Sequence, residues 1–179
     1  SVFVAMGEGN GRFTSGQILS ESGMSVPAGS GRIGLLAADV NGDGHMDAVV
    51  LSPASSQVFV FAGAGNGTFA AANAFATGGI EPVDLAIANF VGDASLDVAI
   101  THRTSGNVTF LRGNGLGDFV LQDNFTVYGV AGAGTLKTAD FNRDGRQDLA
   151  LAAGENVFVL LNTLNAIQVI PLVNGSFDS

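Results

Sequence analysis

Two nine-residue stretches of this chain carry more oxygen donors than a turn requires. Asp39 to Asp47 reads DVNGDGHMD, and Asp140 to Asp148 reads DFNRDGRQD. The first, third, fifth and ninth positions are acids or an amide: Asp39, Asn41, Asp43 and Asp47 in one, Asp140, Asn142, Asp144 and Asp148 in the other. Odd positions point inward when such a loop curls around an ion, and the seventh residue, His45 or Arg146, offers its carbonyl. An all-oxygen set of this kind suits a hard cation that takes six to eight oxygens, Ca²⁺. Gly44 and Gly145 allow the sharp turn. Three carboxylates and a carboxamide in nine residues repel one another unless a cation lies among them.

A third stretch, Asn89 to Asp97, reads NFVGDASLD and departs from the pattern. Its first position is Asn89, its third Val91, its sixth Ala94 and its seventh Ser95; only Asp93 and Asp97 keep a charge. It is expected to fold like its neighbours and to bind calcium weakly or not at all. An EF-hand shares the opening of the two intact loops but needs a bidentate Glu at position twelve. Position twelve here is Val50 or Leu151, and the flanks are strand-like. The other alternative is a plain Asx turn, since Asp, Asn and Gly all favour turns.

Against the plain turn stands a repeat. Val2 to Phe13 (VFVAMGEGNGRF), Val58 to Phe69 (VFVFAGAGNGTF) and Val108 to Phe119 (VTFLRGNGLGDF) align without a gap, and a fourth copy starts at Val157 (VFVLLN) and loses its glycines. The spacings are 58 − 2 = 56, 108 − 58 = 50 and 157 − 108 = 49. The Asp loops recur in phase, 19, 19 and 17 residues before the following Val (58 − 39, 108 − 89, 157 − 140). Each loop lies between apolar runs, Ile33 to Ala38 and Ala48 to Leu51 in the first case, which are too short for helices. One repeat thus reads strand, Asp loop, strand, turn, strand, Gly-rich turn, strand. That predicts an all-β chain of four-stranded antiparallel propeller blades, each of roughly fifty residues. A lone sheet of that size leaves apolar faces open, and stacking neighbours buries them. A β-sandwich is the alternative, and two elements locked in phase argue against it.

By this reading residues 1–32 are the second half of a blade, 33–82 and 83–133 are blade repeats, 134–173 is the last repeat and 174–179 a tail. About fourteen strands, or three and a half blades, fall short of the usual four to eight blades of a closed ring. The chain is therefore expected to be a fragment of a longer propeller, or a protomer whose open edges a second chain completes.

Composition narrows the partners. The 179 residues carry a net charge of −9 with one lysine, Lys137, so no basic patch is available and nucleic acid is not an expected ligand. No apolar run approaches the roughly 20 residues of a membrane-spanning helix. Without cysteine there are no disulfides and no thiolate metal sites.

No catalytic constellation is visible. His45 lies inside a loop, and His102 is read as a solvated loop residue. No G-x-S-x-G elbow or P-loop lysine motif occurs, and the G-x-G-x-G strings lack a following helix. The chain is expected not to be an enzyme. Phe13, Phe69 and Phe119 are read as core plugs between blades. Asn66, Asn107, Asn124 and Asn174 each begin an N-x-[ST] string, candidate glycan acceptors in an exported protein.

DVNGDGHMD and DFNRDGRQD, with GAGNGTF after the next strand pair, resemble the FG-GAP/VCBS repeats of integrin α-subunit propellers and of many secreted microbial proteins. The resemblance covers nearly the whole chain. It implies a propeller, often seven-bladed, at the cell surface or outside the cell, in which calcium rigidifies loops and is not catalytic. Relatives in that family include adhesion receptors, sugar-binding lectins and accessory domains of secreted enzymes, so an extracellular protein or a glycan is the implied ligand. Three functions stay open: a recognition or adhesion module, a lectin-type site at blade junctions, and a structural unit of an extracellular appendage. The absence of Trp and a single Tyr, Tyr128, leave few sugar-stacking side chains.

Overall fold

The computed structural model describes residues 1–20, 34–122, 127–128, 132–163 and 166–172. It is all-β, and every strand pairing is antiparallel. A first hairpin joins β1 (Val2–Gly7) to β2 (Phe13–Leu19). One four-stranded sheet follows in chain order: β3 (Gly34–Ala38), β4 (Asp47–Ser52), β5 (Gln57–Phe61) and β6 (Asn73–Ala76). A second contains β7 (Pro82–Ala88), β8 (Asp97–His102), β9 (Asn107–Gly113) and β10 (Phe119–Leu121), with the short β11 (Val127–Tyr128) continuing beside β9. The last contains β12 (Ala133–Ala139), β13 (Asp148–Ala153), β14 (Asn156–Thr163) and β15 (Ala166–Leu172). Among the described residues there are fifteen strands, one above the expected fourteen, since two short strands, β10 and β11, both pair with β9: Leu121 with Leu111 and Val127 with Val108.

The apolar runs form strands because both faces of the second strands are covered. All six residues of β4 and all six of β8 are buried. Three hydrophobic clusters do the covering, one at each junction. Leu19, Val2 and Val4 of the first hairpin meet Val50, Phe59 and Phe61. Val49, Leu51 and Val60 meet Leu85, Val98 and Ile100. Phe90, Ala99 and Phe110 meet Leu136, Leu149 and Leu151. The first strands lie side by side, β7 between β3 and β12. This is the stacking that single blades require.

Polar links stitch the junctions between the clusters. Gln17 exchanges two hydrogen bonds with the main chain of Phe69, at 2.7 and 3.1 Å. Thr109 Oγ1 donates to Thr77 O at 2.6 Å, Thr101 Oγ1 to Gly134 O at 2.8 Å, and the Leu136 N–H to Asp84 Oδ2 at 2.9 Å.

Two sequence expectations are corrected here. Phe69 and Phe119 pack into junction clusters, whereas Phe13 is 72% exposed. Phe69 and Phe119 are each covered by the blade before their own. His102 is not a solvated loop residue. It ends β8, pairs with Pro82 and Asn107, packs against Gly79 and is fully buried.

Candidate metal centres

The Asp loops join the first strand of each blade to the second, so all three lie at one edge of the stacked sheets. In the first loop the Asp39 carboxylate accepts the N–H of Gly42 at 2.7 Å and of Gly44 at 2.8 Å. Asn41 Oδ1 accepts from Asp43 N at 3.0 Å, and Asp43 Oδ1 from His45 N at 2.8 Å. Asn41 Nδ2 donates to Asp43 Oδ2 at 3.0 Å. The loop is thus curled around its own acceptors. The Gly44 N–H, aided by Gly42 and working against desolvation, holds Asp39 below the usual carboxylate value.

The third loop repeats this arrangement. Asp140 accepts from Asp144 N at 3.1 Å and Gly145 N at 2.9 Å, and Asp144 Oδ1 accepts from Arg146 N at 2.9 Å. One feature is new: the Arg146 side chain folds back, its Nη2 on Asp144 Oδ2 and its Nε donating to Asn162 O at 2.6 Å. Desolvation would raise Asp144, but the Arg146 N–H, the Asn142 amide and the Arg146 charge outweigh it and lower the carboxyl.

The middle loop diverges in shape as well as in composition. Gly44 and Gly145 both sit at φ 85°, while Ala94 avoids positive φ. Asn89 Oδ1 still accepts from Gly92 N at 2.7 Å, and its amide reaches Asp93 O. Asp93 Oδ1 accepts from Ser95 N at 2.9 Å. Its Oδ2 receives Arg112, from Nε at 3.1 Å and Nη2 at 2.9 Å. The Ser95 N–H and the Arg112 guanidinium hold Asp93 below its usual value despite some desolvation.

The ninth residue behaves alike in all three loops and unlike the others. Asp47, Asp97 and Asp148 are buried, and each carboxylate spans from its own loop to the third strand of its blade or, for Asp47, to Gly63 just past that strand. Asp47 accepts from Val40 N and Gly63 N, both at 2.9 Å. Asp97 accepts from Phe90 N, Val91 N and Gly113 N at 2.8, 3.1 and 3.0 Å. Asp148 accepts from Phe141 N and Asn162 N, both at 2.8 Å. Burial raises Asp97 even though three N–H groups oppose it. Each of these residues is therefore a structural tie, whatever else it binds.

Among the described residues, no three His, Cys, Asp or Glu side chains converge as a metal cluster in this conformation. The donor set of the first and third loops nevertheless fits Ca²⁺ in chemistry. It is all oxygen, and a carboxylate oxygen that accepts one N–H keeps a second lone pair. The residues that would hold the ion are Asp39, Asn41, Asp43, Asp47 and the His45 carbonyl in one loop, and Asp140, Asn142, Asp144, Asp148 and the Arg146 carbonyl in the other.

Next to the loops lie the blade junctions. Where the first loop meets the glycine knot of the next blade, Gly117 N donates to Val40 O at 3.2 Å and the two surfaces close. The last blade has no such knot. There Asn162 Nδ2 takes the equivalent carbonyl, Phe90 O, at 2.7 Å, and a cleft opens, lined by Asn89, Gly92, Arg146, Gln147 and Asn162. Of the glycan acceptor strings, Asn66 is exposed and Asn107 is 4% exposed on β9, where folded packing leaves no room for a glycan. Asn124 and Asn174 lie outside the described residues. Sequence reasoning missed Arg112 and the Arg146 side chain as loop counter-charges. The available signal was Arg112 standing where the other repeats have Met6 and Ala62.

No curated protein matches the chain in sequence. In fold it is similar to an Agrocybe aegerita lectin solved to explain specific recognition of non-reducing terminal N-acetylglucosamine, with a TM-score of 0.67 and 24% identity over 97% of this chain. The chain spans 47% of that lectin chain. A weaker likeness, TM-score 0.47 at 19% identity, covers 92% of this chain and 8% of a chain of the Photorhabdus luminescens Tc holotoxin pore. The described residues contain no helix long and apolar enough to cross a membrane. FG-GAP-like repeats match residues 39–100 and 89–151, so with its blades, its Asp loops and its glycine knots in phase, the chain belongs to the FG-GAP-like repeat family.

Proposed function

We propose that this chain is part of a calcium-stabilised extracellular propeller that recognises a protein or glycan and catalyses nothing. The observation that carries the reading is the pair of all-oxygen loops at one edge of the blades, with three carboxylates and an amide each. Bound there, calcium would supply charge compensation and rigidity. The chain's own residues do the rest: Asp39 and Asp140 shape the loop around their N–H donors, Asp47 ties it to the glycine knot, and Asp148 to the third strand.

A lectin-type site is the second reading. It is favoured by the cleft between the middle loop and the last blade, and by the likeness to a lectin fold. Main-chain groups and the Gln147 side chain on the cleft's lining offer hydrogen bonds of the kind sugar hydroxyls need.

Calcium calorimetry on chelator-stripped protein tests the first part, with two sites expected. A glycan array probed with and without calcium tests the second. Retention on defined glycans selects the lectin reading, and silence on the array together with two calcium sites selects protein recognition. No calcium binding at all overturns the proposal.

A further inference from the structure

The three equivalent loops balance their acids in three different ways, and one atom is common to all. In each, Oδ2 of the fifth-position aspartate faces away from the main-chain N–H that binds Oδ1. In the first loop, among the described residues, Asp43 Oδ2 meets the Asn41 amide alone, at 3.0 Å. In the third loop Asp144 Oδ2 carries the guanidinium of Arg146 as well as the Asn142 amide at 2.7 Å. In the middle loop Asp93 Oδ2 carries Arg112. The two arginines arrive from unrelated places, one from the seventh position of its own loop and one from the third strand, 19 residues on. One contact is local and the other crosses 19 residues, yet both reach the equivalent oxygen.

Taking the calcium reading above as given, we propose that Arg146 is a built-in competitor for the cation in the third loop and that Arg112 replaces the cation in the middle loop. Among the described residues no guanidinium meets the first loop's Asp43, and His45 packs against Gly65 of the glycine knot. The loops then form a graded series. The first depends most on calcium, the third exchanges calcium against its own arginine, and the middle one is closed without any ion. A guanidinium on a carboxylate is a charge-assisted contact, and the Asp144 oxygen must release it before it turns to a metal. Release also frees Arg146 from Asn162 O, at the cleft between the middle loop and the last blade, so occupancy of the third loop changes the charge presented there.

The test isolates the third loop by placing Asp43→Ala in the background and titrating chelator-stripped protein with Ca²⁺ by calorimetry. Arg146→Gln should tighten the remaining site by roughly tenfold, the scale of one charge-assisted contact. Arg146→Lys, which keeps the charge without the planar fork, should tighten it clearly less. In parallel, the Arg146 Nε–H resonance of the otherwise native chain should shift on adding calcium while that of Arg112 stays put. An unchanged or weakened third-loop site in Arg146→Gln, with the native chain still binding calcium, overturns the role of Arg146 alone. Absence of binding in every protein, the native chain included, overturns the calcium reading and this inference with it.

Discussion

Asp47 Oδ1 accepts the main-chain N–H of Gly63 at 2.9 Å, across 16 residues of chain. Asp97 does the same to Gly113 at 3.0 Å, again 16 residues on, and Asp148 to Asn162 at 2.8 Å, 14 residues on. The Asp loop and the glycine knot recur in phase because one hydrogen-bonds the other.

That tie is best tested at Asp97, in the loop proposed above to close without an ion. Asp97→Ala leaves the N–H groups of Phe90, Val91 and Gly113 without their acceptor in a buried site. The expected cost is about 3–5 kcal/mol, measured as a fall in the urea midpoint. Asp97→Asn, which keeps one acceptor oxygen, should cost roughly half of that.

Gly63 meets a harder constraint. A Cβ there would lie 2.1 Å from Met46 O, a main-chain atom that cannot swing aside. Gly63→Ala is expected to destabilise by about 3 kcal/mol or more, since the Asp loop and the glycine knot must separate. Gly134→Ala is the control: its Cβ would come no nearer than 3.4 Å to Ala152 O, and thermal melting should barely change.

Arg143 occupies the left-handed region at φ 61°, where the equivalent positions hold Gly42 and Gly92 at 75° and 77°. Arg143→Gly should therefore stabilise the blade by about 0.5–1 kcal/mol, read as a rise in melting temperature.

His102 sets an acid-sensitive step. Burial lowers its imidazole from 6.5 to about 4, the Asn107 main chain offsetting this in small part, and neither ring nitrogen has a hydrogen-bond partner of normal geometry. The unfolded chain then binds the proton more readily than the folded one. The stability from this group is fully present above about pH 6.5 and is lost as pH falls toward 4, about 3 kcal/mol in all. Asp39, Asp93 and Asp144, all lowered, add their loss only below the usual carboxylate value of 3.8, and Asp97, raised, opposes them. Unfolding free energies between pH 7 and 4 should slope in the native chain and flatten in His102→Leu. An equal slope in both would assign the acid sensitivity to other groups.

Calcium removal should lower the melting temperature, since one site at free calcium of 100 times Kd adds about 2.7 kcal/mol. Chelation is expected to open the chain to protease near Gly44 and Gly145. Asp43→Ala should remove more of the calcium-dependent shift than Asp93→Ala, and Mg²⁺ should substitute poorly because it holds its waters in a tight octahedron. Identical melting curves with and without chelator would reduce the loops to turns.

The strands, the Asp loops and their common phase were legible in the sequence because each rests on local chemistry: short apolar runs, Asx acceptors, and glycine where the chain turns sharply. Nothing local could decide which copies behave alike. Phe13 and Phe119 hold the same place in the same motif, yet one is 72% exposed and the other 5%, because burial depends on the blade across the junction. His102 looks like a loop residue from its neighbours in sequence and is buried by Gly79, from the turn before its own sheet. Asp47 and Asp148 read as metal ligands alone, until folding brings the N–H of Gly63 and of Asn162 to their carboxylates. Arg112 and Arg146 read as isolated surface charges, until pairing of the second and third strands brings one within 2.9 Å of Asp93 and the other's Nε within 2.6 Å of Asn162 O. A repeat states which residues are equivalent, but only the packed blades state what each one faces, since those partners lie 14 residues or more away along the chain.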